Sequence, residues 1–369
     1  MPTLDLALPV LCGQLIVGGF AGPTLEARFR KALADGHRGG AILFKRNVPD
    51  IEGTARLCAD IAGASPTDLP PFIGVDQEGG RVRRLPAPAL ALPPMRALGV
   101  LGDLALVQRA AEAVAVELAA LGFNLDFAPI LDVDSNPDNP IIGDRAFGHD
   151  PRTVMRNAVA FMRGLQNKGV LACGKHFPGH GDTSVDSHVG LPVITHERKR
   201  LEHIELPPFR AASGAGIASL MTAHVVCEAL DAGVPATLSR AICGSLLRAE
   251  IGFEGVLFSD DLEMAAVAAR WRPEESGPEA IWAGCDALLV CSDEDAQDRV
   301  HQALVHRAER EPRFRDRCVE AATRGLRIRR LCPPRPIVTP AGLRAVVGGE
   351  ASRALAAEIE RAVRASGAR

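Results

Sequence analysis

Val170-Leu171-Ala172-Cys173-Gly174-Lys175-His176-Phe177-Pro178-Gly179-His180-Gly181-Asp182-Thr183-Ser184-Val185-Asp186-Ser187-His188 opens as a short apolar run and turns abruptly polar. Val170 to Gly174 has the length and the β-branched start of a buried strand. Beyond it, Pro178, Gly179 and Gly181 forbid a continuous helix or strand. Lys175, the three histidines and the two aspartates therefore lie on a turn-rich loop, where chemistry carried by a rigid scaffold is usually placed.

The same grammar recurs along the chain. Gln14 to Gly18, Ala41 to Phe44, Phe72 to Val75, Asn124 to Ala128, Ile217 to Thr222, Gly255 to Ser259 and Ala287 to Cys291 read as seven further strands. Stretches with helical period lie between them: Thr24 to Asp35, Ile51 to Ala62, Leu104 to Ala120, Arg152 to Lys168, Ser239 to Glu250 and Glu294 to Arg307. Strand and helix alternating about eight times predict an α/β fold, a (β/α)8 TIM-type barrel. The ends of the runs support this, because barrel chemistry sits at the C-terminal ends of strands. Asp76-Gln77-Glu78, Asp132 with Asp134, Lys175-His176, His224, Asp260-Asp261 and Ser292-Asp293 all stand there. A doubly wound open sheet, which gathers its ligands at one switch point, ranks second.

The catalytic domain is expected over residues 1–332. Pro333-Pro334-Arg335-Pro336 then leads into a C-terminal helical extension over 333–369, with helical period from about Ala341 to Arg364 and too short to be a second domain. The alternating signs of Arg307, Glu309, Arg310, Glu311, Arg313 and Asp316, within an Arg-rich stretch from 307 to 330, predict a solvated helix face.

Composition narrows the function classes. The chain has 369 residues, 47% hydrophobic and 4% aromatic, with 36 glycines and no tyrosine, which fits an alanine- and valine-rich globular core. A formal net charge of −3 without basic runs argues against nucleic-acid and anionic-membrane partners. Nine scattered cysteines, none in a Cys-x-x-Cys pattern, read as small apolar residues of a reducing compartment. No basic signal-peptide start and no membrane-spanning run is present, so a cytoplasmic protein is expected, acting as a monomer without cofactor.

Carboxylates and imidazoles at one barrel mouth leave three readings open: glycoside hydrolysis, a metal site, or structural histidines bonded to carbonyls. Pro178 and Gly179 between His176 and His180 break the helix that would place both imidazoles on one face, which disfavours metal. Asp186 and His188, at i and i+2, project to one side of an extended segment and form a plausible proton-shuttling dyad. Pro178, Gly179, Gly181 and Gly190 suggest that the loop from Phe177 to Pro192 is a soft lid with few anchors.

Four motifs in order resemble glycoside hydrolase family 3: Val75-Asp76-Gln77-Glu78-Gly79-Gly80-Arg81-Val82, Ile142-Gly143-Asp144-Arg145-Ala146-Phe147-Gly148, the Lys175 to His188 segment, and Phe258-Ser259-Asp260-Asp261-Leu262. Within that family, the chain is similar to the bacterial β-N-acetylglucosaminidases of peptidoglycan recycling over about residues 10–330. The resemblance implies a retaining double displacement, with Asp260 as nucleophile and His188, tuned by Asp186, as acid/base. It further implies that Asp76, Arg84, Arg145, Lys175 and His176 bind the sugar, without metal or cofactor. The implied substrate is a small sugar, the non-reducing GlcNAc of a 1,6-anhydro-N-acetylmuramic acid muropeptide. A phosphorylase or a β-glucosidase-like enzyme of the same fold is the nearest alternative, and an idle sugar-binding sensor the non-enzymatic one. Lys175 is expected to keep the nucleophile ionised. The segment from Arg270 to Pro278 departs from the family pattern and leaves the contacts of that rim open.

Overall fold

The computed structural model describes residues 5–183, 190–337 and 339–367. Eight parallel strands close into a barrel: β1 (Ile16–Gly18), β2 (Gly40–Leu43), β3 (Phe72–Val75), β4 (Leu125–Asp126), β5 (Leu171–Phe177), β6 (Ser219–Thr222), β7 (Val256–Asp261) and β8 (Ala287–Val290). They pair in chain order, and Gly18 opposite Val290 closes the ring. All eight coincide with the apolar runs, because a strand buried on both faces must be apolar at consecutive positions.

Side-chain alternation sorts those positions into two cores. Val17, Ile42, Phe72, Leu125, Phe127, Leu171, Cys173, Met221, Val256, Phe258, Ala287 and Leu289 form one cluster, the filling of the barrel. Phe258 meets Phe72 and Phe127 edge-on, with ring centroids 5.3 and 5.4 Å apart. The intervening residues, among them Ala41, Leu43, Ile73, Val75, Ala172 and Leu257, pack outward against the helices. Inward parity therefore fixes what reaches the mouth. Phe72 and Gly74 lead to Asp76, Leu171 and Cys173 to Lys175, Val256 and Phe258 to Asp260, and Ile42 to Phe44.

The outer helices start where an aspartate satisfies free backbone N–H groups. Asp50, Asp103 and Asp150 accept from Gly53, Leu106 and Thr153 at the heads of Ile51–Ala64, Leu104–Leu121 and Pro151–Asn167. Ala27–Ala34 and Glu294–Arg310 also fall where helical period places them, and Ala241–Glu250 is wound as a π-helix. Between β7 and β8 the departing segment forms the first turns of a helix, Pro273–Ala283. Pro273 occupies its first turn, and the backbone N–H of Arg272 donates to Glu275.

Two expectations change. The alternating-sign face is solvated as expected at Glu309, Arg310, Glu311, Arg313 and Asp316, but the rest of the Arg-rich stretch, on the helix Pro312–Leu331, partly faces inward. Arg317 and Arg324 join Arg248 on the fully buried Asp286, and Arg329 is itself fully buried, donating to Gly39 O and Gln14 Oε1. The C-terminal extension is two helices, Pro340–Val346 and Glu350–Ser366, broken at Gly348, whose φ is +64°. Leu343, Val347 and Ile359 bury into the outer core, so the extension is packed onto the barrel. Among the described residues no helix is long and apolar enough to cross a membrane.

Candidate active site

A cavity of about 260 Å³ opens at the C-terminal ends of the strands. Asp76, Arg84, Arg145, Lys175, His176 and Asp260 all line it, together with Glu78, His180 and Asp261 and an apolar surround that includes Phe44, Met221 and Met264. Six of the eight residues expected at the site are thus brought to one place. The other two, Asp186 and His188, lie outside the described residues.

One wall, built from β3, β5 and the loop before Pro151–Asn167, is a closed network of charge. The Lys175 ammonium sits 2.6 Å from Asp76 Oδ1 and 2.7 Å from Glu78 Oε1. Arg145 grips Glu78 through two parallel bonds of 2.9 Å, and Arg84 approaches Asp76 Oδ2 at 3.3 Å. Burial alone raises the pKa of Glu78, but Arg145 and Lys175 outweigh it and hold the carboxyl far below its ordinary range. Asp76 is likewise held low, against burial, by Lys175 and Arg84. In turn Lys175, which burial would neutralise, is pushed above the ordinary lysine range by Asp76 and Glu78. The ammonium expected to serve Asp260 is therefore committed to these two carboxylates.

His176 is oriented from behind. Asp132, fully buried, accepts from His176 Nδ1 at 2.7 Å and from the backbone N–H groups of His176 and His180. Among the described residues, Nε2 of His176 has no hydrogen-bond partner. Burial drives the pKa of His180 down to about 4, reinforced by His176, so His180 is neutral at pH 7; its Nδ1 lies 2.7 Å from Thr183 Oγ1. The loop after β5 is less soft at its start than its glycines suggest. A Cβ on Gly181 would lie 1.7 Å from Val133 O, and one on Gly179 2.8 Å from Glu205 Cβ, so these glycines permit close packing. The remainder of the expected lid, from 184 to 189, lies outside the described residues.

The opposite wall carries Asp260 and Asp261 at the end of β7. Among the described residues neither takes part in an ion pair. Asp260 Oδ1 accepts, among the described residues, only from the Asp261 N–H, at 2.8 Å. Asp261 turns back to the N–H groups of Glu263 and Cys291, tying β7 to β8, and burial pushes its pKa up to about 7. It heads no helix: the short turn Ala265–Ala268 begins after Met264.

Three carboxylates that shape this site went unassigned from the sequence. Glu78 lies two residues beyond Asp76, on the same parity, which is the signal that would have found it. Asp132 stands among the strand-end aspartates, but its orienting contacts to His176 and His180 are tertiary. Asp126 betrays itself as a charge between Leu125 and Phe127 in an apolar run. It is fully buried, accepts the Gln77 N–H at 2.9 Å, and is pushed up to about 8 by burial. Gln77 then holds the backbone N–H groups of Arg84 and Leu85 on its Oε1.

In a (β/α)8 barrel, carboxylates kept ionised by cations beside two aspartates with no ion-pair partner among the described residues suit the cleavage of glycosidic bonds, and the chain is a glycoside hydrolase. More narrowly it belongs to glycosyl hydrolase family 3, whose N-terminal domain it matches over residues 9–324. A beta-hexosaminidase of Thiobacillus denitrificans is 42% identical over 76% of this chain and 79% of its own length. Another, from Neisseria meningitidis serogroup C, is 38% identical over 80% and 83%. Among solved structures, a family 3 β-N-acetylglucosaminidase from Paenibacillus superposes with a TM-score of 0.90 at 36% identity, covering 97% of this chain and 69% of that one. NagZ from Neisseria gonorrhoeae, in complex with N-trifluoroacetyl-D-glucosamine, gives 0.76 at 32% identity, covering 94% and 97%.

Proposed function

We propose that the protein is a retaining exo-β-N-acetylglucosaminidase that removes non-reducing terminal β-1,4-linked GlcNAc from muropeptides of the GlcNAc-1,6-anhydro-MurNAc type. The observation that carries the reading is the cavity in which Asp260 faces the Asp76, Glu78, Arg84, Arg145, Lys175 and His176 wall. At about 260 Å³ it lies at the small end of ligand sites and suits one terminal sugar better than an extended chain. The beta-hexosaminidase names of the relatives and the N-acetylglucosamine analogue bound by NagZ support the choice of sugar.

In this reading Asp260 attacks the anomeric carbon and forms a glycosyl-enzyme ester, while His188, held by Asp186, protonates the departing oxygen. The same histidine then takes a proton from water as the ester is hydrolysed. Asp76 and Lys175 meet vicinal hydroxyls, and Arg84, Arg145 and His176 complete the grip on the sugar. The absence of a counter-ion for Asp260 among the described residues supports its role, since a nucleophile tied to an ammonium must break that bond to react.

Hydrolysis of chromogenic β-GlcNAc, β-glucoside and β-xyloside substrates, with and without phosphate, tests the reaction class. Free GlcNAc released independently of phosphate is expected, and GlcNAc 1-phosphate would assign a phosphorylase. Preference for the glucoside would replace the hexosaminidase reading. His188→Ala is expected to damage kcat/KM for disaccharide substrates far more than for activated aryl glycosides, whose departure needs little protonation. Equal losses would remove the acid role. Release of GlcNAc from an anhydro-muropeptide tests the substrate.

A further inference from the structure

Glu117, on the helix Leu104–Leu121, is 2% exposed and faces neither solvent nor the cavity, yet it accepts three hydrogen bonds from two distant parts of the chain. Its Oε2 takes the backbone N–H of Leu90 at 2.7 Å. Its Oε1 takes the N–H of Gly348 at 2.9 Å and the hydroxyl of Ser352 at 2.6 Å, both in the C-terminal extension. Among the described residues no basic group pairs with it, so its three neutral donors form a joint whose geometry matters.

Leu90 belongs to the return limb of the loop that follows β3. The outgoing limb carries Val82 and Arg84 to the cavity. The limbs are tied together, with Gly80 N–H donating to Leu92 O at 2.9 Å, and Gln77 holding the Arg84 and Leu85 N–H groups from the barrel side. On the outer side the loop rests on the extension. A Cβ at Gly348 would fall 2.4 Å from Pro88 O, so the two backbones touch there, and the φ of +64° that only glycine adopts readily is what permits it. The loop is thus clamped between Gln77 inside and the joint of Glu117, Gly348 and Ser352 outside.

We propose that Glu117 and Ser352 are positioning residues for substrate binding, through which the C-terminal extension sets the placement of Arg84 at the cavity. This rests on the reading of Arg84 as a sugar contact. Loosening the joint lets the loop drift from its bound geometry, which weakens the grip on the sugar while leaving the reacting atoms on β7 untouched. The effect belongs in KM rather than kcat.

The test is steady-state kinetics of the full chain on an aryl β-GlcNAc substrate. Ser352→Ala and Glu117→Gln are each expected to raise KM by about threefold to tenfold, the range commanded by one buried hydrogen bond, with kcat within about twofold of wild type. Glu358→Ala, which severs the exposed Arg109–Glu358 pair elsewhere on the same helix, is expected to leave both constants unchanged. In an Arg84→Ala background, Ser352→Ala is expected to add nothing, which mere destabilisation would not produce. A wild-type KM in Ser352→Ala, or an equal rise with and without Arg84, overturns the proposal even if Glu117→Gln fails to fold. An Arg84→Ala enzyme with unchanged KM instead overturns the sugar-contact reading and removes the premise.

Discussion

The two walls of the cavity treat carboxylates in opposite ways. On the β3 and β5 side, Asp76 and Glu78 share Lys175, Arg84 and Arg145, and both are held ionised although little of either side chain reaches water. On the β7 side, Asp260 and Asp261 stand adjacent, with no cation paired to either among the described residues, and burial lifts Asp261 to about 7. The first wall is locked: each charge is already satisfied, so it presents fixed hydrogen-bonding groups to a ligand with little reorganisation. The second has no cation paired to it among the described residues, so on the proposed reading a positive centre developing in the cavity would find its partner there. On that reading, binding and chemistry are separated by where the counter-ions are placed.

The sharpest test of that division is Asp260→Ala. A fall of at least about 10⁴-fold in kcat is expected, the scale of losing a covalent nucleophile, with an unchanged melting temperature. Near-normal turnover would move the chemistry elsewhere and erase the contrast.

Next comes the locked wall. Lys175→Met removes the cation shared by two buried carboxylates, leaving Asp76 to Arg84 and Glu78 to Arg145, and is expected to cost about 3 kcal/mol of stability at pH 7, read by urea unfolding, together with a raised KM. The sign with pH follows from the depressed pKa values of Asp76 and Glu78. Their contribution is present above the ordinary carboxylate range and is lost as pH falls through their folded-state values. The deficit of the variant is therefore expected to narrow as pH falls below the ordinary carboxylate range, from about pH 4 downward. A deficit constant across that window would show that the ammonium acts by packing rather than by charge.

Asp126 gives the opposite slope beneath the same wall. Its folded-state pKa of about 8 lies above the unfolded range, so the folded protein holds a proton that the unfolded chain releases, and stability is drained as pH rises from about 4 to 8. Asp126→Asn removes that titration. Its melting temperature is expected to gain on wild type steadily across this window, by an amount on the order of a few degrees. A difference independent of pH would break the assignment.

The smallest effect is expected from Asp261→Asn. Asn retains an oxygen for the Glu263 and Cys291 N–H groups. Its kcat is expected to stay within about tenfold of wild type while an inflection near pH 7 disappears from the rate profile. A collapse comparable to that of Asp260→Ala would make the two aspartates a unit.

Much of this was legible because a parallel barrel writes itself in one dimension. Strands buried on both faces must be apolar, and inward parity carries Asp76, Lys175 and Asp260 to the mouth, so the eight runs pointed to the fold and their polar ends to Asp76, Lys175, His176 and Asp260, while Arg84 and Arg145 were reached only through the family motifs. Counter-ions were not legible in the same way. Lys175 was expected beside Asp260 and lies between Asp76 and Glu78, because which carboxylate an ammonium meets depends on barrel curvature and strand stagger. Arg317, Arg324 and Arg329 lie farther along the same Arg-rich stretch, beyond the alternating-sign face, and helix rotation turns them onto Asp286 and under the barrel.

The sequence by itself determined the repeating strand and helix, the residues at the strand ends and the family motifs, since these rest on local periodicity and burial. Only the tertiary structure decided that Glu78 completes the locked wall, that Asp132 aims His176, that Asp126 is buried beneath them with its pKa pushed up, and that the C-terminal helices reach the loop after β3 through Glu117. Each of these depends on which groups meet across large separations in the chain. Electrostatic and hydrogen-bond partners act over a few ångströms in space, and no spacing along the sequence specifies them.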